Sequence, residues 1–343
     1  MSRKYPLFSI LIFIALSGQE LLAQQNVFLP MHASRIRAVG IAGAYQAVYD
    51  DLAALSYNPA SYSVYRDAKD FRITFFLTPA APMIIYSNPD RFYARPARQG
   101  EKNFAAIFSL FKAINFTYKD LDFGFVFGEP IFSTQELLQA KQALHLNHVY
   151  NNHYHTAALH LRLAEQVSLG VSLYLNYFEP EHGQRDWALS ASYGVILQPN
   201  DYLRVGVSLF SAAAKLPRNY EFIDQKYNDA LGLGLAVQAP WRMQFSFDVR
   251  NLTVNQDVVG ERLLAGVEQQ ILGHIAVRAG LQYHTNDQHF AQTFGLGLLN
   301  LSRFRGDRDQ FKHTEYAVNY ALVRKKLFEE LYFIHAFSLQ VRI

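Results

Sequence analysis

From Phe71 onward the chain is a succession of stretches, each roughly ten residues long, in which apolar and polar residues alternate. In one of them Trp241, Met243, Phe245, Phe247 and Val249 fall on one face, and Arg242, Gln244, Ser246, Asp248 and Arg250 on the other. In another, Val167, Leu169, Val171, Leu173, Leu175 and Tyr177 oppose Ser168, Gly170, Ser172, Tyr174 and Asn176. A period of two is the signature of an extended strand whose side chains point alternately to opposite faces. A soluble sheet shows this a few times over. Here it recurs at 71–78, 104–116, 121–129, 153–163, 167–178, 186–197, 202–210, 229–239, 241–250, 261–270, 273–284, 289–299, 312–322 and 332–342, with large aromatics on the apolar faces. That repetition predicts strands with lipid outside and a polar lumen inside. Such a sheet must close, because an open edge leaves backbone groups unsatisfied in hydrocarbon. The expected fold is all-β, a transmembrane antiparallel β-barrel of about 14 strands, an even number that suits a bacterial outer-membrane barrel.

The connections carry the same message. With the first strand running outward, Tyr118 to Asp120, Ala164 to Gln166, Pro199 to Asp201, Ala239-Pro240 and Ile271 to Gly273 are tight periplasmic turns. They alternate with longer outer connections at 79–103, 130–152, 179–185, 211–228 and 251–260. Two places break the alternation: Thr285 to Gln288 is short where an outer loop is due, and 300–311 is long where a turn is due. The chain ends Phe337-Ser338-Leu339-Gln340-Val341-Arg342-Ile343, an alternating strand with a hydrophobic last residue. This is similar to the signal that barrel-assembly machinery reads, with Ile343 where Phe is usual.

The N-terminus reads as a secretory signal over residues 1–23. Arg3 and Lys4 supply the positive end, Tyr5 to Ser17 the apolar run, and cleavage is expected after Ala23. Residues 24–69 do not alternate and are rich in Ala, Gly and Tyr, which predicts a compact element distinct from the strands of 70–343. A mean hydropathy of −0.04 excludes a helical membrane protein, while 27 Phe and 21 Tyr fit the aromatic girdles of a barrel. The absence of Cys excludes disulfides, thiol catalysis and Cys-ligated metal. A formal charge of +3 without an arginine tract argues against a nucleic-acid partner.

Within the N-terminal element, Gly40 and Gly43 permit tight turns, Asp50-Asp51 can cap a helix or meet basic groups, and Asn58-Pro59 favours a turn. The run Gly43-Ala44-Tyr45, Asp50-Asp51 and Asn58-Pro59-Ala60 resembles the N-terminal region of FadL-like (long-chain fatty-acid transporter) barrels and the related PorV/PorQ group. Those proteins carry G-G-A-Y-x-A-x-x-D-D-x-x-A-x-x-x-N-P-A just after the signal peptide. Ile41-Ala42 replaces part of the glycine-rich start here. The resemblance implies a fourteen-strand barrel whose N-terminal segment folds into the lumen as a hatch, with Gly40, Gly43, Asp50, Asp51, Asn58, Pro59 and Ala60 in that plug.

The polar faces make the expected lumen basic. Arg72, Arg162, Arg204, Arg242, Arg278 and Arg342 all fall on them, and hatch aspartates are their natural partners, since an unpaired charge in a confined lumen is costly. The same arginines suit a carboxylate or phosphate of a passing ligand. His145, His148, His153, His155 and His160 cluster in sequence, but no acidic residue lies between His145 and His160, so they read as solvated histidines and no metal or other cofactor is expected. Ser133-Thr134-Gln135-Glu136 is a capping box for a short helix to about Leu144 in an outer loop, placed to touch lipopolysaccharide. Gly232-x-Gly234 and Gly295-x-Gly297 lie inside alternating strands and read as lumen-packing glycines, and no G-x-S-x-G or H-E-x-x-H occurs, so an enzyme is not expected. Three functions compete: a transporter of hydrophobic or amphipathic small molecules, as the resemblance implies; an accessory of a protein secretion system with a protein partner, as in PorV/PorQ; and a structural outer-membrane barrel.

Overall fold

The computed structural model describes residues 24–28, 34–50, 52–64, 68–87, 99–130, 153–178, 186–211, 221–222, 225–226, 230–252, 262–271, 275–285, 288–299, 315–327 and 330–343. The expected signal segment, Asp51, His145, His148 and the capping box at Ser133 lie outside them. The strands are β1 (Gln24–Phe28), β2 (Ala68–Leu77), β3 (Phe111–Lys119), β4 (Leu121–Pro130), β5 (His153–Ala164), β6 (Val167–Phe178), β7 (Asp186–Asn200) and β8 (Leu203–Ser211). A two-residue pair, β9 (Glu221–Phe222) and β10 (Gln225–Lys226), stands apart from the main sheet. The series continues with β11 (Ala230–Ala239), β12 (Met243–Arg250), β13 (Arg262–Ile271), β14 (Ile275–His284), β15 (His289–Leu299), β16 (Glu315–Leu327) and β17 (Glu330–Arg342). Each strand from β2 to β8 and from β11 to β17 pairs antiparallel with its sequence neighbour, and β17 returns to β2. The result is a closed 14-strand antiparallel barrel.

Alternation decides what faces where. On β6, Leu169, Val171 and Leu173 are exposed while Ser168, Gly170, Ser172, Tyr174 and Asn176 are buried. On β12, Phe245 and Phe247 face outward, and Gln244, Ser246, Asp248 and Arg250 are buried. An outer surface of Leu, Val and Phe with serines and charges inside is the reverse of a soluble protein, and it is stable only with hydrocarbon around the barrel.

The structure corrects one expected strand. Residues 104–116 do not form one element: a helix covers Gln99–Leu110 and the strand starts at Phe111. The run Phe104-Ala105-Ala106-Ile107-Phe108 is apolar without alternating, and its alanines favour a helix. Around 285–311 both irregular connections persist, since β14 ends at His284, β15 starts at His289 and β16 only at Glu315.

The barrel closes in an uneven way. Adjacent strands elsewhere share long ladders, but β17 meets β2 only at Val341–Leu77 and Arg342–Phe76, with Phe75 and Ile343 exchanging two 2.9 Å backbone bonds beyond them. The earlier part of β17 is paired differently. There β1 runs parallel to it, with Gln24 opposite Leu331 and Phe28 opposite His335. After β2 the chain turns into helix Ala80–Ser87, which packs on Gln99–Leu110. Met83, Tyr86 and Ile107 of this helical pair are exposed.

Candidate functional site

Residues 34–50 and 52–64 occupy the interior of the barrel. Arg35 to Ala47 are all buried, as are Asn58, Pro59, Ala60, Ser61 and Tyr62. Local chemistry shapes the segment. Ile36–Val39 forms one helical turn, ended at Gly40, and the chain reverses through Ala42 and Gly43 at φ of 58° and 73°. At the Asn-Pro-Ala step, Asn58 is extended (φ −148°), as the residue before a proline prefers. Its Oδ1 accepts from the Ala60 amide at 3.0 Å and so caps the short helix Pro59–Ser61. Pro59, at the first helical position, has no N–H to leave orphaned.

The same Asn58 ties the segment to the wall. Its Nδ2 donates to the carbonyl of Gln46 at 2.8 Å and to those of Val195 on β7 and Val207 on β8, both at 3.3 Å. Where this loop touches the strands, the wall residues are glycines. A Cβ on Gly170 would overlap the Pro59 carbonyl group, one on Gly194 the Asn58 side chain, and one on Gly206 the Gln46 carbonyl. Gly232 and Gly234 face Gln46, and Gly295 lies against Gly40.

On the opposite side the contacts are charged. Glu268 on β13 accepts from Arg37 of the segment at 2.8 and 3.0 Å and from Arg278 on β14 at 2.5 Å. Arg37 also pairs with Asp50 at 3.1 Å, and Asp50 accepts from the Tyr45 hydroxyl at 2.5 Å. Asp248 on β12 accepts the Tyr45 and Gln46 amides at 2.7 and 3.0 Å. Arg250 bridges Asp248 (3.1 Å) and the Gly43 carbonyl, and its guanidinium lies 4.8 Å from the centre of the Tyr57 ring. Burial, reinforced by the Asp50 carboxylate, pushes the Tyr45 phenol well above its ordinary range and keeps it a neutral donor. A third group sits towards the long connections: Lys112 and Glu129 pair at 2.6 Å, and Glu129 also accepts the Ser34 amide at 2.9 Å. Thr293 completes the ring of contacts by donating to the Gly40 carbonyl at 3.1 Å.

The six arginines picked from alternation go to different places. Arg278 is buried in the network, bound to Glu268 and to Asn319 at 3.0 Å. Arg204 reaches Gln244 at 3.0 Å and lies 5.3 Å from the Tyr49 ring. Arg162 pairs with Asp120 of the neighbouring turn at 2.5 Å. Arg72 lies on the inward face of β2 and Arg342 is buried on β17. Arg242 is not on a strand; it occupies the β11–β12 turn at φ 61° and is exposed, because the ladder starts only at Met243. Arg37 of the segment pairs with the wall carboxylate Glu268 as well as with Asp50 of its own segment. Glu268, Asp248 and Arg250 carry the contact, and a signal for them was present in the sequence: charged residues in the middle of alternating strands.

The histidines divide by face. His160 is buried beside Asp122 at 3.3 Å, whereas His153 and His155 flank Tyr177 at ring separations of 5.2 and 5.8 Å. Among the described residues no three His, Asp or Glu are grouped as metal ligands.

No family model matches this chain, and no curated protein matches it. Among solved structures, the CymD monoaromatic hydrocarbon channel superposes with a TM-score of 0.46 at 10% identity, covering 92% of this chain and 96% of that one. The Ralstonia pickettii toluene transporter TbuX gives 0.44 at 10%, covering 91% and 97%. A Rhodopseudomonas blastica porin gives 0.35 at 11%, covering 68% and 77%. The fold assignment stands on the strand ladder of the chain itself.

Proposed function

We propose that this chain is an outer-membrane transporter that admits hydrophobic or amphipathic small molecules, with residues 34–64 as its hatch. The observation that carries this reading is the chemistry of the contact between segment and wall. A barrel filled only for stability is best filled with apolar side chains, since buried ion pairs add little over a hydrophobic substitute. Here apolar contacts, such as Leu52, Leu55 and Tyr62 against Phe76, Val126 and Ala158, are confined to part of the interface, and the rest is built of ion pairs, amide contacts and glycine-to-backbone approaches. The charged side, around Glu268 and Asp248, can part and rehydrate without exposing a large apolar surface. The exposed Met83, Tyr86 and Ile107 of the helical pair offer an apolar landing surface beside the barrel.

The test is electrical. Deleting residues 34–60 is expected to raise single-channel conductance of the folded barrel in planar bilayers. Unchanged conductance would mean that the segment does not block the lumen and would overturn the reading. Mass spectrometry of lipids extracted with the protein from its native membrane should recover a small amphipath in place of a stoichiometric protein partner.

A further inference from the structure

Strands β2 and β3 stop short of the rim that carries the long connections. Their ladder ends where Leu77 lies opposite Phe111, and at the seam Leu77 lies opposite Val341, almost at the end of β17. From that level β17 reaches on to the rim, from Gln340 up to Glu330, with β16 beside it all the way. Neither β2 nor β3 accompanies them. The chain leaves β2 for helix Ala80–Ser87, and helix Gln99–Leu110 passes into β3 with no residue between. Thr78 ties the two bases together, its amide and hydroxyl donating to the carbonyls of Leu110 and Ser109 at 2.8 and 2.6 Å. The helical pair therefore starts at a depth where other strands are still crossing the wall. Polarity then changes along it. Ala80, Ala81 and Ala106 are buried, while Met83 and Ile107 are 73% and 62% exposed. Below them Phe71, Ile73 and Phe75 of β2 and Phe111 of β3 are exposed on the lipid-facing side of the wall. At the far end Gln99, Gly100 and Asn103 are exposed, and the half-exposed Tyr86 donates its hydroxyl to the Asn103 side chain at 2.8 Å.

We propose that this helical pair is part of the membrane-embedded wall, with Met83 and Ile107 in the hydrocarbon of the outer leaflet and Tyr86 and Asn103 among its headgroups. Helices satisfy their own backbone, so they can stand in lipid in place of the missing ends of two strands, where an irregular connection could not. Exposed apolar side chains that adjoin a lipid-facing band are stabilised by entering the same hydrocarbon. A tyrosine whose hydroxyl is bonded among exposed polar residues suits the headgroup level. The inference needs the barrel and not the transporter reading. Where both hold, a solute reaches Met83, Tyr86 and Ile107 through the leaflet.

The chain has no Cys, so a single introduced cysteine reports on one position. The experiment places a nitroxide label on the full mature chain at Met83→Cys, Ile107→Cys or Asn103→Cys, in vesicles of palmitoyl-oleoyl phosphatidylcholine and phosphatidylglycerol. Phe75→Cys and Tyr202→Cys serve as lipid and water references, since Phe75 faces outward on β2 and Tyr202 is exposed in the β7–β8 turn. Each variant is first shown to be folded by heat-modifiable gel migration. Molecular oxygen concentrates in hydrocarbon and a nickel chelate in water, so the ratio of their collision rates reads depth. Labels at positions 83 and 107 are expected to give the oxygen-weighted ratio of position 75, and the label at 103 the nickel-weighted ratio of 202. A nickel-weighted ratio at either 83 or 107 would overturn the proposal, because the helices would then stand in water. Labels shielded from both agents and broadened by a neighbouring label would put a second copy on this face, and would overturn it too. A second measurement needs no reconstitution. In native outer membranes a water-soluble maleimide should label positions 83 and 107 at least about tenfold more slowly than 103, since it reacts with the thiolate, which hydrocarbon disfavours. Equal rates at the three positions would also sink the proposal, whereas absent flux into liposomes bears on the transporter reading alone.

Discussion

The luminal segment meets the wall in two different ways. Against β6, β7 and β8 it is held by shape: Pro59, Ala60, Asn58 and Gln46 approach Gly170, Gly194 and Gly206 so closely that no side chain fits between them. Against β12, β13 and β14 it is held by charge, through Asp248, Arg250, Glu268 and Arg278. The difference separates two jobs. Glycine contacts fix where the segment sits, because interpenetrating backbones tolerate no slippage. Ion pairs fix how firmly it stays, and they can be exchanged for water or another ion at modest net cost. The glycine side is thus expected to act as the seat and the charged side as the latch.

The largest effect is expected from Gly170→Val. Its side chain would collide with the Pro59 carbonyl group, so the segment should leave its seat and single-channel conductance should rise to that of the 34–60 deletion. A variant that conducts like wild type would refute the idea of a seat. Next comes Glu268→Gln, which leaves Arg37 and Arg278 without their shared carboxylate; breaking a buried pair in this way costs about 3–5 kcal/mol. It should lower the gel-shift melting temperature and produce intermittent openings, not a permanently open state. If it opens the channel more than Gly170→Val does, the roles of the two sides are reversed. Asn58→Ala removes a helix cap and the bond to the Gln46 carbonyl, a loss of about 1–3 kcal/mol read by the same melting assay. The smallest change is Tyr45→Phe, which deletes the hydroxyl donated to Asp50 and should cost about 1 kcal/mol with no change in conductance.

How much of this was legible in the chain follows from its physics. Strand alternation is imposed by lipid on one side and a polar lumen on the other, so residue-by-residue facing could be read for β6 and β12. The helix at Gln99–Leu110 was lost because a short apolar run fits either period. Arg242 went wrong by extending an alternation one residue past the end of its ladder. The Asn-Pro-Ala step was visible as a motif, and the glycines at 232, 234, 295 and 297 as packing positions. Gly297 packs on Arg278 of the adjacent strand, but the others meet Gln46 or Gly40, more than a hundred residues away in sequence, which no local pattern encodes. The same holds for the level at which β2 stops, which is set by its register against β17 at the other end of the chain.

The uneven closure has a consequence for how the barrel is made. Most of β17's partner edge is not supplied by β2, so joining the first and last barrel strands does not by itself finish the wall. Leu331 to His335 are paired instead with β1, lying parallel to β17. Completion therefore has to wait for β17, which brings β1 and β2 to separate stretches of one edge. The seam is thus a joint of three strands, and removal of Gln24–Phe28 is expected to uncover Leu331 to His335 of β17 without touching the ladders between the other strands.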